Sequence, residues 1–287
     1  MGAFGPLKTR RGPILSKLPV LRRYDAEIRR LRSALAASQD EIDRLRAAQP
    51  DPDWLANARK YEYLWRGAFK RIDVRDVEPF GTVSANVVND GRTYLNVDRL
   101  YTLWQMVQRL PPTATAIAEV GVYKGGSARL LAEALRYDGR DIPLFACDTF
   151  RGHAEVDETI DGRHRVGEQF IHVKFEKVKN YLATFPFVEV VQGNIRETAP
   201  RFASNHSFGL VHVDVDVYPI SRFCLEFFTP RLAVGGALVV DDYGSRTCPG
   251  VTRAVDDFAA ASRDCVAIHL LSGQAVIVRV SGPTQER

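Results

Sequence analysis

The chain has 287 residues, 45% hydrophobic and 26% charged, with a formal net charge of +4. That is enough for one large α/β domain plus an appendage. Residues 1–50 hold eleven Lys and Arg against five Asp and Glu, so this arm is +6 and the remainder is 4 − 6 = −2, which excludes a basic body built to wrap nucleic acid.

Residues 1–20 form a basic arm. It reads either as a solvated tail or as a contact for phosphate-rich sugars or a lipid surface. Its first eleven residues lack the apolar stretch of a signal peptide, and Pro6 stands where a myristoylation signal needs Ser or Thr. The chain contains no run of about 18 apolar residues to span a bilayer. Cys147, Cys224, Cys248 and Cys265 are widely spaced, with no C-x-x-C pair, so reduced thiols and a cytoplasmic location are expected.

Segment 21–48 reads as a coiled-coil oligomerisation helix. Between residues 21 and 46, Leu21, Ile28, Leu35 and Ile42 recur every seven residues, and Tyr24, Leu31, Ser38 and Leu45 form the second seam position. Glu27 with Arg32 and Glu41 with Arg46 have the spacing that pairs charges across a parallel coiled coil. The alternative is one amphipathic helix folded back on the domain, which would bury a wider stripe. Pro50, Asp51 and Pro52 end the helix, and residues 53–112 follow as a helical lead-in or cap.

Residues 113–287 change to short apolar runs separated by helical periodicity, the pattern of a parallel sheet covered on both faces. Strands are expected at 116–120, 143–147, 188–191, 210–213 and 237–240, with helices at 128–136, 175–182, 221–228 and 251–261. Strands 265–271 and 275–280 are joined by Ser272, Gly273 and Gln274 as a hairpin. The expected fold is a Rossmann-like, seven-stranded, doubly wound sheet.

In such sheets ligands bind beyond the carboxyl ends of the strands. The first strand runs into Glu119-Val120-Gly121-Val122-Tyr123-Lys124-Gly125-Gly126-Ser127, whose glycines allow a tight turn and close ligand approach; a purely structural turn is the competing reading. The second ends at Asp148, where a carboxylate can accept hydrogen bonds from both ribose hydroxyls, followed by Thr149 and Phe150. The glycine spacing departs from G-x-G-x-x-G and offers no pyrophosphate cradle. A cationic amino-acid nucleoside, S-adenosylmethionine, fits better, with Glu119 reaching its ammonium directly or through water. Beyond the third strand, Asn194 and Ile195 are candidates to bond and flank adenine, against a loop-capping alternative. The candidate donor site is thus Glu119, Gly121, Tyr123, Gly125, Ser127, Asp148, Thr149, Phe150, Asn194 and Ile195.

The fourth strand gives His212-Val213-Asp214-Val215-Asp216-Val217-Tyr218 and the fifth ends in Asp241-Asp242-Tyr243. Four carboxylates at adjacent strand ends about 4.8 Å apart repel unless a cation joins them, and carboxylates with water suit Mg²⁺ rather than zinc. The polar stretch 151–170 exceeds an ordinary loop and reads as a lid or substrate-recognition segment. His153, His164 and His172 in or next to it are expected as surface or packing residues, and Tyr94, Tyr123 and Tyr218 as acceptor-pocket or core residues.

The strings EVGVYKGGSA, DTFRG, GNIRET, HVDVDVY, GGALVVDDYG and PGVTRAVDDF, in this order across about residues 93–280, resemble the macrocin O-methyltransferase family of sugar O-methyltransferases. The double-aspartate block is the most discriminating. The resemblance implies Mg²⁺-dependent methyl transfer from S-adenosylmethionine to a hydroxyl of a sugar, glycan or glycosylated metabolite, with a catechol-type or other small acceptor, or a non-catalytic scaffold, as alternatives. It implies that Asp216, Asp241 and Asp242 hold Mg²⁺ and that Asp214 is the general base, the roles of Asp214 and Asp216 being exchangeable. Some relatives place His or Lys three residues after the first aspartate, where this chain has Val217.

Overall fold

The computed structural model describes residues 74–281; the basic arm and the heptad segment 21–48 lie outside them. A compact unit begins at residue 72. In chain order it contains α1 (Phe80–Asn89), α2 (Val97–Gln108), β1 (Ala116–Val120), α3 (Gly126–Tyr137), β2 (Leu144–Asp148), α4 (Phe175–Leu182), β3 (Val188–Gln192), α5 (Ile195–Phe202), β4 (Phe208–Val213), α6 (Tyr218–Phe228), β5 (Leu232–Val240), α7 (Pro249–Ala261), β6 (Cys265–Leu270) and β7 (Gln274–Arg279). The strands form one sheet in the order β3-β2-β1-β4-β5-β7-β6. The first five are parallel, and β7 is antiparallel to both β5 and β6. The expected seven-stranded α/β sheet is the one found. Strand order reverses between β1 and β4, and that switch point is where the ends of two crossovers part to leave a crevice.

The alternation of the central strands explains the two cores. Ala116, Ala118 and Val120 pack with Val211, Val213, Leu238 and Val240 against Ile195 of α5, Phe228 of α6 and Val255 of α7. Ile117, Leu210 and Val239 face the other way, onto Leu103 and Trp104 of α2 and Leu131 of α3. Every residue of β1 and β4 is buried, as expected for parallel strands covered on both sides.

Three departures from the sequence expectation have physical causes. Strand β5 starts at Leu232, five residues before the expected 237, because Gly235 and Gly236 sit within the strand where it shifts register against β4. A side chain at 236 would press against the Phe208 carbonyl at 2.8 Å, so the glycine pair permits pairing rather than ending it. Helix α5 is not among the expected helices. Its eight residues include Pro200, but Asn194 caps it by accepting from the Arg196 amide. Helix α6 begins at Tyr218, three residues before the expected 221, with Pro219 in its first turn.

Candidate active site

A cavity of ≈560 Å³ opens at the carboxyl edge of the sheet, across the switch point. Gly121, Tyr123, Ser127, Asp148, Thr149, Asn194 and Ile195 line it, as do Asp214, Asp216 and Asp242. Glu119, Gly125, Phe150 and Asp241 are not among its lining residues. Gly125 instead supplies the left-handed N-cap of α3 at φ 88°, and Phe150 packs edge-on against Phe175.

The turn after β1 is built for close approach. Gly121 has φ 94°, and a side chain there would collide with the Asp214 carbonyl, so β1 and β4 meet backbone to backbone at the crevice. Asp148 organises the adjoining wall: its Oδ2 accepts from the Tyr123 amide at 2.9 Å and its Oδ1 from the Phe150 amide at 2.7 Å. Burial nonetheless holds its pKa above the usual carboxylate range, those amide bonds opposing the rise. A carboxylate has about four lone-pair positions, so accepting capacity remains for a ligand hydroxyl. Asn194 is otherwise engaged, since its Oδ1 caps α5 and its Nδ2 donates to Glu155 at 3.1 Å. The loop-capping alternative thus describes its side chain in this structure.

Behind the cavity wall lies a fully buried ionic chain that local sequence reading missed. Glu119 and His212 are register partners across β1 and β4. His212 donates from Nδ1 to Glu119 Oε1 at 2.8 Å and from Nε2 to Asp241 Oδ2 at 2.6 Å. Carboxylates on both nitrogens favour the doubly protonated ring. Burial alone would lower its pKa, but the two carboxylates outweigh that and raise it to about 10. Gln274 adds a donor to Asp241 Oδ2 at 3.3 Å. Glu119 Oε2 is buried and has no hydrogen-bond partner among the described residues.

Asp241 and Asp242 are also joined from outside the motif. Arg99 of α2 places Nη1 2.9 Å from Asp241 Oδ1 and 3.0 Å from Asp242 Oδ1, while its Nε donates to the Ser272 carbonyl at 2.8 Å. Two carboxylate oxygens from consecutive residues therefore converge on one cationic nitrogen. Nothing near Arg99 in sequence announces this, because its partners are more than 140 residues away.

Among the described residues, five acidic side chains, Glu119, Asp214, Asp216, Asp241 and Asp242, cluster around these two cationic ones. Burial, then Asp241 and Asp216, raise the Asp214 pKa well above normal. Burial and the neighbouring Asp242 push Asp216 up to about 7. Asp216 and Asp242 both adopt left-handed backbone, φ 65° and 61°, strain of order 1–3 kcal/mol each that turns them toward the cavity.

The long loop 151–170, read above as a lid or recognition segment, has built anchors. Buried Asp161 accepts from the Tyr218 amide at 2.7 Å and the Asp157 amide at 2.8 Å, fixing the loop to the start of α6. His153 and His164 meet at 3.2 Å on the cavity wall. Burial, with His164 adding to it, lowers the His153 pKa to about 4. Tyr94 stacks on Tyr123 with ring centres 5.0 Å apart at the cavity. Tyr218 is not among the lining residues and bonds Asp257 instead.

Residues 118–243 match the family described as a methyltransferase domain. The chain is 28% identical over 200 residues to demethyldecarbamoylnovobiocin O-methyltransferase of Streptomyces niveus, covering 62% of this chain and 74% of that one. It is 28% identical over 142 residues to 8-demethyl-8-(2,3-dimethoxy-alpha-L-rhamnosyl)-tetracenomycin-C 4'-O-methyltransferase of Streptomyces olivaceus, covering 46% and 54%. The fold is shared with the O-methyltransferase NovP at a TM-score of 0.51 and 22% identity, over 66% of this chain and 82% of that one.

Proposed function

On the premise that this chain belongs to the class I S-adenosylmethionine-dependent O-methyltransferases, we propose that it methylates a sugar hydroxyl with the help of Mg²⁺. The observation that carries the metal is the convergence of Asp241 Oδ1 and Asp242 Oδ1 on a single cationic nitrogen, at 2.9 and 3.0 Å. The chain already places positive charge at that point. With more carboxylates than cations around it, the donor set fits a hard divalent ion held by Asp216, Asp241 and Asp242, with Arg99 giving way. When bound, the ion supplies charge that acidifies a neighbouring hydroxyl and relieves carboxylate repulsion.

For the donor, Asp148 offers its remaining lone pairs to ribose, and Gly121 lets the chain approach the sulfonium end. Glu119 lies behind that glycine turn, so its unpartnered Oε2 serves the ammonium end through water. Asp214 is the carboxylate beside this turn, its amide bonded to the Val120 carbonyl at 2.8 Å. It takes the acceptor proton as the acceptor oxygen bonds to the methyl carbon and the carbon–sulfur bond breaks, sulfur keeping the electron pair. The sugar assignment is supported by relatives, one named for a rhamnosyl substrate. The stacked Tyr94 and Tyr123 favour a second reading, a planar catechol-type acceptor.

The test combines calorimetry with S-adenosylhomocysteine and an acceptor screen using labelled donor, each with and without Mg²⁺. Chelation is expected to abolish turnover and spare most donor binding, and Asp242→Asn to raise the Mg²⁺ concentration required. Asp214→Asn should keep metal binding and slow turnover by about 10²–10⁴. Full turnover in excess chelator ends the metal reading, and normal turnover in Asp214→Asn moves the base elsewhere.

A further inference from the structure

We propose that His153, His164 and Asp216 form a second metal site, selective for a transition-metal dication over Mg²⁺, that staples the lid to the end of β4. A donor nitrogen from each histidine and an oxygen of Asp216 all lie within 4.8 Å of one another. The proposal does not rest on the Mg²⁺ reading above, although Asp216 belongs to both sets.

The hydrogen bonds fix which ring atoms are available. A backbone carbonyl can only accept, so at 3.0 Å from the Thr247 oxygen His164 Nε2 must carry the proton. His164 Nδ1 is then a bare lone pair in the neutral ring, aimed at His153 Nε2 at 3.2 Å. Two imidazole nitrogens sharing a tetrahedral ion at about 2.05 Å would stand about 3.3 Å apart. The pair is therefore already at ligand separation. To present both lone pairs, His153 need only move its proton from Nε2 to Nδ1, with no net release. A histidine ligand whose far nitrogen donates to a carbonyl is the usual means of fixing ring orientation at a metal.

The lid's backbone builds this pair deliberately. His153 forms an isolated parallel bridge with Val166, and the Gly167 amide bonds the His153 carbonyl at 3.0 Å. That folds the lid back so that residues eleven apart face each other. Asp161, between them in sequence, is pinned to α6. Asp216 comes from the other side of the cavity wall, held in left-handed backbone at φ 65°. All three line the cavity, so a fourth position faces the acceptor space, as in metal sites that keep an open coordination position. Two imidazoles and one carboxylate suit Zn²⁺, Co²⁺ or Fe²⁺, whereas Mg²⁺ prefers all-oxygen shells. Cys248 Sγ borders the site, 3.7 Å from Asp216 Oδ1 and 3.8 Å from His164 Nε2, the nitrogen facing away from the pair.

The test uses the full chain stripped of metal and then kept in excess Mg²⁺, with Co²⁺ as a spectroscopic probe and Zn²⁺ measured against a chromogenic chelator. One equivalent of Co²⁺ is expected to bind with the visible spectrum of a nitrogen-ligated ion. His153→Ala and His164→Gln should each weaken Zn²⁺ binding at least tenfold. Asp242→Asn, which removes no ligand of this set, should still take up one equivalent of Co²⁺ with a nitrogen-ligated spectrum. Zn²⁺ should also slow tryptic cleavage at Arg163 and Arg165 in the wild type and not in His153→Ala. His153 is only half-buried, so that variant decides the matter if His164→Gln does not fold. No Co²⁺ uptake in excess Mg²⁺, or the same uptake and spectrum in wild type and His153→Ala, overturns the proposal. Loss of Mg²⁺-dependent turnover alone would instead bear on the carboxylate set.

Discussion

At the residue scale the site is governed by what its carboxylates are tied to. Asp148 has two backbone amides fixing its orientation and lone pairs to spare. Asp148→Asn keeps an acceptor for one amide and removes the charge, so nucleoside affinity should fall by about one to two tenfold steps, the worth of a charge-assisted bond of roughly 1.5–3 kcal/mol. Calorimetry with S-adenosylhomocysteine checks this, and an unchanged affinity would move the ribose contact off Asp148. His212 makes a prediction of a different kind. Its pKa rises from 6.5 to about 10 on folding, so its contribution to stability is complete below about pH 6.5 and fades as pH climbs through about 10. Metal-free wild type should therefore lose denaturant resistance across that interval. His212→Asn should start lower, by about 3–5 kcal/mol for a broken buried pair, and run flatter. Parallel curves for the two proteins would show that the ring is not the titrating group. Of these residues, Asp148 was legible in sequence from its place at a strand end, as were Asp214, Asp216 and Asp242. The ties of Glu119 and Asp241 to His212 were not, because in a fully buried strand a histidine sits among apolar neighbours with no periodic mark, and its partners belong to adjacent strands.

At the element scale the lid is the part most open to experiment. Asp161 presents each carboxylate oxygen to a different backbone amide, Tyr218 at 2.7 Å and Asp157 at 2.8 Å, and Gly250 of α7 packs so closely that a side chain there would collide with it. Asp161→Asn would turn one acceptor into a donor facing an amide, a local cost of about 1–3 kcal/mol. The lid should loosen, with faster tryptic cleavage at Arg163 and Arg165, a raised KM for acceptor and unchanged donor affinity. Equal cleavage rates would mean that the lid is held elsewhere. The lid's length and polarity were readable, but its anchors were not: Asp161 looks like any turn aspartate until α6 is placed against it. The same limit explains Arg99, which is one polar residue on an amphipathic helix until the fold carries it to Asp241 and Asp242. The strands were the most legible elements, since burial on both faces writes an uninterrupted apolar run. Strand β5 was truncated in the reading because Gly235 and Gly236 carry the signature of a turn while serving as a bulge.

At the scale of the whole molecule, the question is how the heptad segment relates to the α/β unit. That unit begins at residue 72, and its two cores close around the sheet with their own helices, α1 to α3 on one face and α5 to α7 on the other. Among the described residues no helix is long and apolar enough to cross a membrane, and all four cysteines are free thiols. As a compact unit of its own, the sheet domain is expected to fold and bind donor without the arm. If residues 21–46 form the helix that their heptad spacing predicts, its two-position apolar stripe stays wet unless another helix or the domain covers it. If the covering helix belongs to a second copy, a chain starting at residue 72 should keep its unfolding transition and S-adenosylhomocysteine affinity while its mass by light scattering drops to that of a monomer. Charged residues at Ile28 and Leu35 in the full chain should produce the same fall in mass, separating the seam's effect from that of the basic arm. A full-length protein that is already monomeric at micromolar concentration would rule out self-association through residues 21–46, and a truncated chain that no longer binds donor would show that the arm completes the site.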